Sequence, residues 1–68
     1  MEYGNFNHNE SVKFGNALGM VSGSYGGKIL VDTIYNQTIQ VQPDKLQKSD
    51  IKLRRKYGNK AGGSVVLA

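Results

Sequence analysis

The sequence predicts an all-β domain, a small five-stranded barrel with a short helical turn before its last strand. Three observations carry that expectation. Ten Asn and Gln residues and nine Gly disfavour long helices. Between Ser11 and Gln42 the apolar residues fall in short β-branched or alternating runs. Turn signals separate those runs, Gly-Gly at 26–27 and Asn-Gln at 36–37. A chain of 68 residues allows one domain, near the lower limit at which an unaided core folds.

The elements follow in order. "SVKF" (11–14) forms a first strand, and "ALGMVSGSY" (17–25) a second, loosened by Gly19 and Gly23. "KILVDTIY" (28–35), rich in β-branched residues, is the strongest strand signal in the chain. In "TIQVQ" (38–42), Ile39 and Val41 share one face, while Thr38, Gln40 and Gln42 share the other. The glycines of "SYGGKIL" are followed by lysine and then strand material. A phosphate-binding loop needs Lys-Ser/Thr opening a helix, so that backbone N–H groups meet the anion. Gly26 and Gly27 are therefore the centre of a type I′ hairpin turn, where both residues take positive φ.

Pro43 ends the fourth strand, and "PDKLQ" makes one helical turn that drops Leu46 onto the core. "SDIKLRRKYG" (49–58) supports two readings. Alternation of Ile51 and Leu53 suits a strand, which we prefer; Ser49 as N-cap and Gly58 as C-cap suit a two-turn helix. Residues 1–10 read as a flexible polar leader, 11–57 as the barrel, and 58–68 as a glycine-containing tail. Within that tail, Val65 to Leu67 either add a short edge strand or stay disordered. The expected core is Val21, Leu30, Ile34, Ile39, Val41 and Leu46. Two-residue loops at both turns put Asp32 on the face of Leu30, Ile34, Ile39 and Val41, where a charge needs a partner. A bulge that shifts the register, or a place at the barrel mouth beside a partner, resolves the conflict.

The order "GMV" (19–21), "ILVD" (29–32) and "IQVQPDKL" (39–46) resembles small SH3-like barrels, including the KOW-type modules of transcription and ribosomal proteins. The resemblance covers about residues 11 to 56 and rests on strand spacing and the "VQPDKL" step. "GMVSGSY" (19–25) and "IQVQP" (39–43) also resemble strands of the plasmid-type dihydrofolate reductases, with Gln42 at the position of that family's tyrosine. A small oligomeric enzyme of that sort is the third-ranked reading.

Function classes narrow by composition. The chain has no cysteine for a disulfide, a thiolate metal site or nucleophilic attack. Its single His8 lacks the clustered ligands of a metal site. No apolar run reaches the ~20 residues of a membrane span, and the start has neither the basic run nor the apolar core of a signal peptide. A non-enzymatic, soluble cytoplasmic protein without cofactor is expected.

Charge is the strongest functional signal. The net charge of +4 divides into −2 over residues 1–44 and +6 over residues 45–68. Such polarity suits an anionic partner, nucleic acid or an acidic protein surface. In "KLRRKYGNK" (52–60), Arg54 and Arg55 can grip phosphate bidentately, and Lys52, Lys56 and Lys60 add less directional charge. Tyr57, Tyr25 and Tyr35 can stack on unpaired bases. The first reading is thus a small nucleic-acid-binding module. The alternative is a protein-interaction or regulatory module that uses a barrel edge or its basic face. A core this small also leaves self-association open.

Overall fold

The computed structural model describes residues 2–3, 5–55 and 65–68, with residues 2 and 3 described by their backbone. The first strands, β1 (Glu2–Tyr3) and β2 (Phe6–Asn7), form a short antiparallel pair. Four consecutive strands follow: β3 (Ser11–Phe14), β4 (Ala17–Tyr25), β5 (Lys28–Thr33) and β6 (Thr38–Val41). A 3-10 turn over Pro43–Lys45 leads to β7 (Gln47–Lys48), then β8 (Leu53–Arg55) and β9 (Val65–Leu67). The main sheet has the order β6-β5-β4-β3-β7, and β8 pairs with β9 apart from it.

The domain is all-β, and its sheet stays open, where a closed barrel was expected. Its edges are β6 and β7. The reason lies after Pro43. Among the described residues, β7 is two residues long and pairs with β3 alone, while β8 takes β9 as its partner. Residues 53–55 are extended, in keeping with the strand reading of that segment, and 65–67 pair with them.

Two hairpin loops set the register. Tyr25 faces Lys28 across Gly26 and Gly27, whose φ values of 59° and 83° are those of a type I′ turn. The loop between β5 and β6 is longer than the expected Asn-Gln turn. The Thr33 N–H donates to the Gln37 carbonyl at 2.7 Å, and the Asn36 N–H donates to the Thr33 carbonyl at 3.3 Å. Ile34, Tyr35 and Asn36 therefore form a three-residue loop, closed by Asn36 at φ 62°. Asn tolerates that left-handed conformation better than other side chains.

That loop reverses the faces of β5. Ile39 pairs with Val31 and Val41 with Ile29, so Ile29 and Val31 point into the core. Leu30 and Ile34, expected there, are only half-buried. An odd shift in register moves every side chain to the other face. A bulge between Val21 and Gly23 absorbs one residue of β4, so that Val21 and Ile29 both reach the core face.

The core joins Val12, Val21, Ile29, Val31, Val41, Leu46 and Phe6, with Ile39 packed against it. Phe6 lies in the stretch read as a polar leader. Burying its ring contributes about 2–3 kcal/mol, enough to dock those residues on the sheet. Leu46 comes down from the 3-10 turn as expected, its N–H donating to the Pro43 carbonyl. Gly19 lies where two strands come close. A Cβ there would stand 2.4 Å from the Asp32 carbonyl oxygen and 2.7 Å from a Val31 methyl.

Candidate functional site

Arg55, Asp32, Thr38 and Asn9 converge on the sheet face opposite the core. Asp32 pairs with Met20 and Thr38 in the ladder, so its carboxylate leaves the apolar face. Its side chain is only 6% exposed, and both oxygens are engaged. Oδ1 accepts the Thr38 hydroxyl at 2.8 Å, and Oδ2 accepts Arg55 Nη1 at 2.5 Å. The same guanidinium donates from Nε to Asn9 Oδ1 at 2.8 Å and from Nη2 to the Val21 carbonyl at 3.3 Å. Asn9 is held by its own backbone, with φ 67° and its N–H on the Val21 carbonyl at 2.8 Å.

Arg55 thus fixes β8 to the main sheet. Val65 sits directly across from Arg55 in the β8–β9 ribbon, shares its face, and is buried. The conflict over Asp32 ends in a partnered carboxylate, by way of both a longer loop and a bulge. A guanidinium suits this place because its planar fork donates in several directions at once. Thr38 and Asn9 were missed as partners. The available signal was Asp32 itself, a charge inside an apolar strand.

Of the other residues expected to bind nucleic acid, Lys52 and Arg54 are exposed. Lys56, Tyr57 and Lys60 lie outside the described residues. Tyr25 is 71% exposed and Tyr35 59% exposed. They occupy opposite ends of β5, because Tyr25 faces Lys28 and Tyr35 follows Thr33. Five strand steps separate those ends by roughly 17 Å. The two rings cannot stack on one base. Phe14, an exposed aromatic missed by the sequence, lies at Tyr35's end of the sheet. Its ladder partner is Ala17, and the neighbouring Leu18 carbonyl accepts the Ile34 N–H at 2.9 Å.

Charge is unevenly spread across the sheet. At the β7 edge stand Lys48 and Lys45, with Lys13 on the neighbouring β3. At the β6 edge, residues 33–43 carry no charge. Lys48 bonds Glu10 at 3.0 Å and lies 5.4 Å from the centre of the Phe6 ring. The Asn7 N–H donates to Glu10 Oε1 at 2.9 Å. That backbone donor, followed by Lys48, holds the Glu10 carboxyl below its ordinary pKa, against a smaller opposing effect of burial. Among the described residues, no ion pair involves Lys45, Lys52 or Arg54. Also among them, no three His, Asp or Glu side chains gather as metal ligands. No described helix is long and apolar enough to cross a membrane.

No family model, curated protein or solved structure matches this chain significantly.

Proposed function

We propose that this protein is a small, non-catalytic nucleic-acid-binding module whose phosphate contacts come from its C-terminal third. One observation carries the reading: residues 45–68 balance to +6, and among the described residues Lys45, Lys52 and Arg54 stand outside any ion pair. Lys48 and Arg55 are engaged by Glu10 and Asp32, while Lys45, Lys52 and Arg54 are exposed. Lys52 and Arg54 lead the phosphate contacts, joined by Lys56 and Lys60 on sequence grounds. Arg55 has a structural task, and we withdraw it from the contact set. The succession of hairpins, a 3-10 turn and a late strand supports an SH3-like reading of the fold, as an open variant.

Binding of this kind is salt-sensitive, since each phosphate contact releases counterions. Fluorescence anisotropy with single-stranded and duplex oligonucleotides, at about 50 and 200 mM salt, tests it. The parent is expected to bind at low salt and weaken steeply. Replacing Lys52 and Arg54 together with Gln should flatten the slope of log affinity against log salt by about 1.5 to 2. Melting should be unchanged, because both heads are in solvent. A parent that ignores both kinds of strand at low salt sinks the reading.

A further inference from the structure

The β6 edge points to a second copy of this chain as its partner. The Thr33 N–H donates to the Gln37 carbonyl at the loop end of the β5–β6 ladder, which makes the two a hydrogen-bonded pair. Antiparallel ladders alternate, so Val31–Ile39 and Ile29–Val41 are also hydrogen-bonded pairs, and Asp32–Thr38 and Leu30–Gln40 are not. The main-chain N–H and C=O groups of Thr38 and Gln40 therefore point away from β5. Among the described residues, β6 has a strand neighbour on one side only.

Such an edge recruits another strand unless charge, proline or a bulge guards it. Here the guards are missing along the strand. Residues 33–43 are uncharged, and Pro43 comes only after β6 has ended. The opposite edge is guarded: β7 is two residues long and carries Lys48.

Two features select a second copy as the occupant. First, two chains of net charge +4 repel, and the uncharged β6 edge lets them approach with the least opposition. Second, β6 is complementary to itself. A two-fold axis through Gln40 sets Gln40 opposite Gln40 of the other copy, and both residues point their backbone groups outward. Ile39 then faces Val41 of the second copy on the core side, since residues directly opposite share a face. The half-exposed Ile39 is covered, and two five-stranded sheets become one of ten strands. The symmetry is that of an isologous dimer. We propose that this protein dimerises by antiparallel pairing of β6 with β6.

Charge placed at the two-fold tests this in the full chain. Gln40 is exposed, on the face opposite Ile39 and Val41, so its substitution spares the core. Light scattering behind size exclusion, over a concentration series, should give the parent twice the 7.4 kDa of one chain. Q40K and Q40E should each weaken the dimer by about tenfold or more, because like charges then face each other. Mixing the two variants should restore it as a mixed pair. Far-UV spectra and melting at low concentration confirm that both variants fold. A parent that stays monomeric at high concentration overturns the proposal. So do Q40K and Q40E variants that dimerise as the parent does, or a mixture that fails to recover the dimer.

Discussion

At the scale of single residues, Arg55 matters most, because each of its three nitrogens has a separate acceptor. Removing one partner of a buried pair costs more than the pair is worth, since it leaves a desolvated charge alone. Asp32 would be that charge. Arg55 keeps 31% of its side chain in solvent, which screens part of the interaction. R55Q should therefore destabilise by roughly 2–3 kcal/mol, below the ~3–5 kcal/mol of fully buried pairs. Its neighbour provides the control: R54Q should stay within about 0.5 kcal/mol of the parent. Urea melts of both variants check the contrast, and D32N added to R55Q should recover part of the loss. Equal melts for the two single variants would mean that Arg55 does not hold β8.

At the scale of elements, two glycine positions separate two kinds of constraint. A Cβ on Gly27 meets nothing within 4 Å, so G27A suffers only from the positive φ, about 1–2 kcal/mol. G27N should recover much of that, because Asn accepts the left-handed region. G19A has no such remedy. Its Cβ would press on the Asp32 backbone, and thermal melts should show a loss larger than that of G27A. Loops also decided what the sequence could disclose. Gly-Gly announces its turn type through its own backbone freedom, and the strands beside it were legible to within a residue or two. Asn36 announces a positive φ less loudly, and reading "NQ" as the turn put Leu30 and Ile34 in the core in place of Ile29 and Val31. Val41, Val21, Ile39 and Leu46 were legible because their own spacing is unaffected by that loop. Phe6 and Val12 were not, since neither sits in a run long enough to show a face. Of the candidate site, the exposure of Lys52 and Arg54 followed from strand alternation. Arg55 was expected beside Arg54 among the phosphate contacts, and its turn onto Asp32 was not legible, because Asn9 and Asp32 are far away in sequence.

At the scale of the whole molecule, acid should loosen the docking of the N-terminal residues. Glu10 has its folded pKa held below the ordinary 4.5 by the Asn7 N–H and Lys48. A depressed carboxyl stabilises the fold above its unfolded pKa, and the contribution disappears as pH falls through the folded value. The parent should thus be more stable than E10Q at neutral pH, and the two melting curves should converge as the solution is acidified below 4.5. A gap that persists in acid would exclude the carboxylate as its source.

The long reach of the Arg55 contact bears on the order in which the chain folds. β3 to β6 are consecutive in sequence and pair with their immediate neighbours, so their contacts close short loops and can form early. Asp32 takes its place with them, but its counter-ion lies 23 residues further along the chain. Until Arg55 docks, sealing that face would bury a carboxylate without its cation. The early sheet must keep one side wet, and the docking of β8 supplies the cation that lets it dry.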